Sequence, residues 1–493
     1  MVEKNTRTSR RPDFHAKREL TVKLRGPITT LLVAILLSAA AISVDAARRG
    51  STQRSVSSDQ SGDETFVVRR GPDGESICRD ADATERRRIL NRSSNLETRV
   101  IYAGAPRKSQ LFFSRTWTDL VSGLTLQPSA GLRIVLHGTN QLNQNQAARN
   151  AFITAANRWE AIISTPITVV IDVDFGTTFF GTTFEEDVLG QTASTAVSLP
   201  YTTVRQSLLT SASGAIEQQL YNALPATAVP VDVNGVTSDV SSVRATIINA
   251  RALGLSADIT DPSSVPLGQG DSGIGFNSAF PFDFNPDDGI VSGQIDFDSV
   301  ATHEIGHALG FTSRSGQASV TQVSIWDLFR VGRFSTNLAA FPTAPRLMSI
   351  GGEPFFFPNR LTTFATISLE LSNGGPDPGP NDGDGRQSSH WKDDALLSLQ
   401  PYIGVMDPTL NSGLRRTISE NDINALDLFG YSIGLPAPVR PTNDDFVNAI
   451  ALQGNVGTLV SSNVNATREV GEPIHAGLLG DKSVWYTWTA PFS

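Results

Sequence analysis

The sequence predicts an α+β protein, in which helices pack on a mixed, twisted sheet and a smaller all-β module follows at the C-terminus. Short β-branched runs alternate with stretches of helical apolar spacing between residues 132 and 249, and another helical stretch lies near residue 300. Beyond a proline-rich stretch at 436–441, short runs punctuated by Gly and Asn replace the helical pattern. These observations predict a main domain and a β module.

Length and charge limit the classes of function. A chain of 493 residues with 39% hydrophobic content is long enough for more than one folded unit. The net charge of −9 excludes nucleic acid as the main partner, because no basic face is expected to neutralise phosphates. Cys78 is the one cysteine in the sequence, so no intramolecular disulfide can form.

The N-terminus has the order of features expected of a signal peptide. Residues 1–26 are rich in Lys and Arg, an apolar run extends from Ile28 to Ile42, and Ala46 ends a small-residue cleavage site. A membrane anchor is the alternative, but the run of about 15 residues is shorter than the roughly 20 that a spanning helix needs. We therefore expect residues 1–46 to be removed, the protein to be secreted and no stable membrane span to remain.

Residues 47–115 have the composition of a propeptide or a flexible lead-in. They open with Ser, Gln and Arg, include the run Glu-Arg-Arg-Arg at 85–88, and contain Cys78. Residues 116–435 are predicted to form the main domain. Its predicted elements are strands at Leu132 to His137, Ile167 to Val173 and Val243 to Asn249, an edge strand at Gly273 to Phe276, a helix at Gln146 to Ile163, and helical pieces between Val204 and Leu224 that break near Gly214.

Two acidic loops are candidates for a structural calcium ion. Oxygen-bearing side chains alternate at Asp283, Asn285 and Asp287, but Gly289 falls one place late for a calcium loop and no bidentate Glu follows. A solvated turn is the favoured interpretation of this loop. Asp382 and Asp384, in the Gly-, Pro- and Asp-rich loop at 374–385, are the less favoured candidates.

The stretch from Asp298 to Ser313 contains candidate metal ligands and a candidate catalytic base. His303 and His307 are four residues apart, so on a helix their imidazoles project from one face and can share a metal ion. Glu304 is placed to take a proton from a zinc-bound water that attacks a carbonyl. We expect this helix to begin near Ser299, with Asp298 or Ser299 as its cap, and to end at Gly310.

The third metal ligand lies elsewhere in the chain. Many zinc proteases with this pattern carry a third histidine at the position of Ser313, and serine is a poor zinc ligand. The sequence has 6 histidines. His15 leaves with the signal peptide, while His137 and His475 are more simply packing or surface residues. His390 remains as the expected third ligand, and Met406, 16 positions later, could form an apolar floor under the metal.

A downstream glutamate is the alternative third ligand. It is less favoured because Glu353 and Glu370 lie in segments unlike helices and Glu420 is far along the chain.

The motifs resemble those of the leishmanolysin family of metzincin zinc endopeptidases. The resemblance rests on the run from His303 to Phe311, a long insertion, Ser389-His390-Trp391 and a methionine turn at Met406, and it covers roughly Leu132 to Gly434. It implies that His303, His307 and His390 bind zinc, that Glu304 is the base and that Met406 is the turn methionine. This sequence departs from the family in lacking its many disulfide cysteines.

The sequence thus predicts a secreted zinc endopeptidase that acts on protein or peptide substrates. The alternative is a secreted surface-binding protein with a structural or vestigial zinc site. A Cys78 thiolate could occupy the open position of the zinc and keep the enzyme latent, or it could be an inert thiol. Residues 436–441 are predicted to be a stiff linker, and 442–493 an incomplete β-sandwich module with an alternating strand at Val484 to Thr489.

Overall fold

The structure is a computed structural model that describes residues 63–90, 99–102, 131–285, 288–317, 320–357, 369–374, 383–397, 402–434, 443, 446–452 and 483–489. These residues all belong to one compact unit, Gln60–Ser493. The predicted signal peptide, the predicted linker and most of the predicted β-sandwich module lie outside the described residues. Within the described ranges, no helix has both the length and the apolar character to cross a membrane.

The described part of the chain forms strands and helices in a mixed α+β arrangement. The strands are β1 (Glu64–Arg70), β2 (Ser76–Asp80), β3 (Arg99–Tyr102), β4 (Arg133–Gly138), β5 (Thr168–Gly176), β6 (Thr178–Phe179), β7 (Thr182–Thr183), β8 (Val188–Ser194), β9 (Ala196–Pro200), β10 (Val229–Val233), β11 (Val236–Val240), β12 (Ser242–Thr246), β13 (Ser272–Asn277), β14 (Phe282–Asp283), β15 (Ile295–Asp296), β16 (Val323–Ser324), β17 (Arg330–Gly332), β18 (Arg346–Leu347), β19 (Pro354–Phe356), β20 (Leu369–Glu370), β21 (Thr409–Leu410), β22 (Ile450–Leu452) and β23 (Tyr486–Trp488). The α-helices are α1 (Ala83–Leu90), α2 (Asn140–Asn143), α3 (Gln146–Ile162), α4 (Tyr201–Ser211), α5 (Ala215–Ala223), α6 (Ile247–Ala252), α7 (Phe297–Leu309) and α8 (Glu420–Leu428).

A large mixed sheet is the centre of the fold. Its strand order is β21-β2-β1-β8-β13-β5-β4-β3. Strands β13, β5 and β4 run parallel, whereas β8, β1, β2 and β21 each pair antiparallel with their neighbours. Helices α3 and α7 pack against each other and on this sheet. Phe152 of α3 and Phe276 of β13 both lie with ring centroids 5.0 Å from that of Phe297, which fixes the start of α7 in the core.

The predicted mixed α+β class is confirmed. The strand predicted at 273–276 is present, but the prediction of its position in the sheet is wrong. It is not an edge strand, because β13 is buried along its whole length between β8 and β5. Its glycines make room for neighbouring rings. A Cβ at Gly275 would come within 2.7 Å of the Phe179 ring. The segment predicted as a strand at Val243 to Asn249 also divides, since the Thr246 side chain accepts the Asn249 N–H and starts helix α6.

Part of the segment predicted to be a propeptide or lead-in belongs to the main sheet. Strands β1 and β2 form an N-terminal hairpin, residues 64–80, that extends the main sheet beyond β8, and β3 lies at the opposite edge. Phe66 and Val68 enter the main core, whereas Val67 on the other face joins a smaller apolar cluster with Ile89 of α1. This alternation explains why a polar-looking segment forms a strand.

The insertion between α7 and His390 supplies four strands of a second sheet, which also contains β10 and β11. Its strand order is β11-β10-β18-β17-β19-β20. Within the insertion, Trp326–Phe329 is a 3-10 helix whose four residues are all buried. The aromatic run Phe355 to Phe357 is also buried, so it packs the insertion onto the body and does not line an open cleft.

Candidate metal centre

Helix α7 carries the first two candidate ligands and is buried from end to end. It begins at Phe297, earlier than predicted, and neither Asp298 nor Ser299 caps it. Ser299 lies inside the helix and donates its hydroxyl to the Asp296 carboxylate at 2.5 Å, while Arg415 also reaches that carboxylate. The helix ends as predicted at Gly310, whose φ of 124° favours glycine.

The Nε2 atoms of three histidines lie close to one another. The Nε2 atoms of His303 and His307 are 3.1 Å apart, and His390 Nε2 lies 3.2 Å from each of them. The sequence-predicted ligands are therefore brought together, although His390 is 83 positions after His307. A triangle of this size is the spacing expected of three ligands that share one ion at about 2 Å.

The opposite nitrogens identify the protonation state of the three rings. Each Nδ1 contacts a backbone carbonyl: His303 to Val405 O at 2.8 Å, His307 to Phe311 O at 2.6 Å, and His390 to Gln387 O at 3.0 Å. A carbonyl can only accept, so each Nδ1 is the N–H donor and each Nε2 keeps its lone pair. Three lone pairs directed at one point form an arrangement that could hold a metal ion.

Burial keeps these rings neutral. It lowers the pKa of His303 to about 4 and the pKa of His307 and His390 well below the usual range. Neutral imidazole is the form that binds a metal, so the three ligands are ready at neutral pH.

Glu304 lies in the same buried site. Its Oε2 accepts a 2.5 Å hydrogen bond from the hydroxyl of Thr192 on β8, and its Oε1 is 3.7 Å from Cys78 Sγ. Burial raises the pKa of this carboxyl to about 7. A carboxylate with a pKa near neutrality is suited to accept and return a proton.

Cys78, for which the sequence left open a ligand or an inert thiol, also lies in the site. From strand β2 of the hairpin, its Sγ reaches within 3.6 Å of His307 Nε2, and the ligand atoms of Cys78 and the three histidines all lie within 4.8 Å of one another. Burial and the nearby Glu304 raise the pKa of the thiol, so a bound cation is what would favour the thiolate. Of the two alternatives for Cys78, the geometry favours a ligand over an inert thiol.

Met406 packs against helix α7 beside Gly306. It is fully buried in a turn closed by the Asp407 N–H to Gly404 O hydrogen bond of 3.0 Å, and a Cβ added to Gly306 would meet its Sδ at 2.4 Å. The absent side chain at Gly306 therefore lets the methionine approach the helix. Asp422 of α8 holds this turn by accepting the Val405 N–H and the Trp391 Nε1–H, both at 2.8 Å.

Two polar groups of the insertion position the His390 loop. Asp327 accepts the hydroxyl of Ser313 at 2.6 Å, and the Ser313 N–H donates to Ser389 Oγ at 2.7 Å. The buried guanidinium of Arg330 donates to the carbonyls of Ser372 and Ser388. Sequence reasoning missed the roles of Asp327 and Arg330 in the insertion and of Asp422 on α8, because the sequence carries no signal of what a charged residue contacts.

The remaining candidate ligands lie elsewhere. His137 is buried in β4 beside Asp172 and takes no part in the cluster, and His15 and His475 lie outside the described residues. In the predicted calcium loop, Asp283 accepts the backbone N–H groups of Asn285 and Val291, which is the behaviour of a turn. The Asp384 carboxylate likewise accepts two backbone N–H groups.

A second acidic group contains Asp393, Asp394 and Asp407. Arg386 pairs with Asp393, and Arg416 pairs with Asp394. Arginines therefore already pair with two of these three carboxylates.

Comparison of the whole chain with protein-family models, with curated proteins and with solved structures found no match.

Proposed function

We propose that this chain is a secreted zinc endopeptidase of the metzincin type, held in a latent form by its N-terminal hairpin. The observation that supports this most is the convergence of three unprotonated Nε2 atoms beside a buried carboxylate. Nitrogen ligands with one thiolate suit zinc better than the hard cations, which prefer oxygen. The methionine turn and the glycine that ends the metal helix support the metzincin likeness.

The residues of the chain divide the chemistry between them. His303, His307 and His390 would hold the zinc, which when bound would lower the pKa of a water molecule and polarise a peptide carbonyl. Glu304 takes the proton of the attacking water on Oε1, because Thr192 already occupies Oε2. The proton then passes from Glu304 to the nitrogen of the leaving amine, which regenerates the carboxylate.

The hairpin closes this site in the structure. A cavity of only about 30 Å³ remains beside His303 and Glu304, and Val68, Ser76 and Cys78 of the hairpin are among the residues that line it. Phe66 stacks on the His307 ring with centroids 3.8 Å apart. A peptide substrate therefore cannot enter until the hairpin moves, and Cys78 would hold the coordination position that water needs.

The same four ligands support a second candidate, a closed structural zinc site in a secreted surface-binding protein. A structural site is complete with Cys78 and three histidines. Glu304 argues for the enzyme, since burying a carboxyl that ligates nothing raises its pKa and opposes folding at neutral pH. Export through the N-terminal segment and an incomplete β-sandwich at the C-terminus remain part of both proposals.

The test of this proposal begins by releasing the hairpin. Limited trypsin digestion should cleave the chain at Arg87 and Arg88, which are exposed on α1. The zinc-loaded full-length protein should hydrolyse casein only after this treatment, and a chelator should block the hydrolysis until zinc is restored. The Glu304→Ala variant should bind the same amount of zinc and be slower by about 10³-fold. The exposed Glu353 supplies the control variant Glu353→Ala, which should keep full activity.

Two outcomes would contradict the enzyme. Equal hydrolysis by wild type and Glu304→Ala would exclude Glu304 as the base. A zinc-loaded, proteolysed wild type that stays folded and cleaves no casein or peptide would support the closed structural site.

A further inference from the structure

Two arginines of the body contact the hairpin at a single carboxylate. Glu64, at the start of β1, accepts from Arg244 Nε at 3.4 Å and from Arg314 Nη1 at 3.5 Å. Arg244 lies on β12, and Arg314 follows the metal helix. Both the Glu64 and Arg244 side chains are buried, with exposures of 8% and 6%. Among the described residues, Glu64 is the one carboxylate that forms an ion pair with either arginine.

The carboxylates near these two arginines belong to the hairpin: Glu64 pairs with both, and Asp80 lies near Arg314. Arg244 Nη2 and Arg314 Nε are buried and have no hydrogen-bond partner among the described residues. Other contacts of these two guanidinium groups are uncharged: Arg244 donates to Ser198 Oγ and Arg314 to Gln317 Oε1. When the hairpin leaves, Arg244 and Arg314 lose the carboxylate with which they pair.

The register of β1 places this group relative to the metal centre. Phe66 pairs with Thr192 on β8 and stacks on His307, and Glu64 pairs with Ser194. Residues two apart in a strand project from the same face, so Glu64 and Phe66 both point toward the metal side of β8. The arginines therefore receive the side chain that lies two residues before the one against His307.

Release of β1 leaves an open strand edge. Strand β8 lies between β1 and β13, so without β1 its outward N–H and C=O groups are unpaired. An extended peptide can add to such an edge in the antiparallel direction of β1, and then its alternate side chains meet the same surface. A peptide that runs as β1 does carries a side chain, not its terminal carboxylate, to the arginines.

We propose that Arg244 and Arg314 form a subsite that selects an acidic side chain in a peptide bound along β8, two residues N-terminal to the residue against His307. The inference rests on the proposed function, because it takes the hairpin to occupy the place of the substrate. In the latent protein Glu64 fills this subsite. In the opened protein an Asp or Glu of the substrate supplies the carboxylate in its place.

The test measures binding, so it does not depend on hydrolysis. The zinc-loaded, full-length Glu304→Ala protein is opened by limited proteolysis and cleared of the released segment. Fluorescent peptides that copy residues 64–70, one with Glu and one with Gln at the first position, are titrated against it by anisotropy. A charge-assisted hydrogen bond predicts that the Glu peptide binds at least about tenfold more tightly.

Arginine variants test which residues cause the preference for the Glu peptide over the Gln peptide. In Arg314→Gln the two peptides should bind within about twofold of each other, and Arg314→Lys, which keeps the charge, should retain part of the preference. Arg333, exposed and paired with Glu353, provides the control Arg333→Gln, which should behave as the parent. Circular dichroism verifies that each variant is folded.

Equal binding of both peptides, or binding of neither, overturns the subsite. An undiminished preference in folded Arg314→Gln and Arg244→Gln overturns the assignment to these residues. Failure of the proposed function has a different signature, because wild type would then cleave no peptide whatever the ratio of the two binding constants.

Discussion

The backbone N–H of Ser313 donates a 2.7 Å hydrogen bond to Ser389 Oγ, so the end of the metal helix holds the residue that precedes the third histidine. The backbone of Ser313 thus anchors the loop that contains His390. The position of His390 thus depends on contacts between two segments that are 76 residues apart.

Substitution of Ser389 tests this anchor. Ser389→Ala removes the acceptor for the Ser313 N–H and for Gln387 Nε2 while leaving every metal ligand in place. We expect zinc affinity to fall about 10- to 100-fold, as for other groups that orient ligands. Competition with a chromophoric chelator measures the affinity. Ser238→Ala, on the exposed strand β11, is the control, and equal affinities in the two variants would contradict the anchor.

Gly306 tests the approach of the methionine turn to the metal helix. In Gly306→Ala the new Cβ would lie 2.4 Å from Met406 Sδ and 3.4 Å from the Trp159 ring, so the buried methionine must shift. We expect a loss of about 1–3 kcal/mol in the free energy of unfolding, measured by urea denaturation. Gly332→Ala is the matched control because its Cβ would have no neighbour closer than 3.5 Å. Similar stabilities for the two variants would contradict the tight contact.

Asp407 is expected to make stability depend on pH. Burial, assisted by the neighbouring Asp393 and Asp394, raises the pKa of this carboxyl to about 7, above the value near 4 of an unfolded chain. The folded protein then holds a proton that the unfolded chain releases, so this stabilisation is complete below about pH 4 and is lost as the pH rises toward 7.

The variant Asp407→Asn removes the titration. Across this pH range the free energy of unfolding of wild type should fall by up to about 4 kcal/mol relative to the variant. Chemical denaturation of both proteins at several pH values measures this difference. Curves that stay parallel from pH 4 to 7 would show that Asp407 does not titrate in this range.

The sequence predicts the part of the site whose residues lie close together in the chain. His303 and His307 are four residues apart on one helix, so their common face follows from helical geometry alone, and Glu304 lies next to His303 in the sequence. His390 was identified from the small number of histidines and from the resemblance, and the structure brings it to the other two. The strands at 133–138 and 168–176 were recognisable because their β-branched residues are buried.

The contact between the N-terminal hairpin and the candidate metal centre could not be predicted from local sequence patterns. Cys78 meets Glu304 across 226 positions of sequence, and β1 pairs with a strand more than a hundred residues later. Such pairing depends on register and on the shape of the core, which a local pattern does not contain. The start of α7 was also misjudged, because Ser299 donates to Asp296 from inside the helix and does not cap it.

X-ray absorption at the zinc edge of the full-length protein, before and after limited proteolysis, tests the central claim most directly. The account predicts one sulfur at about 2.3 Å and three nitrogens near 2.0 Å in the latent form. After proteolysis the sulfur should be replaced by an oxygen or nitrogen scatterer as casein hydrolysis appears. A site without sulfur before proteolysis, or one that keeps its sulfur while the protein is fully active, would contradict latency through Cys78.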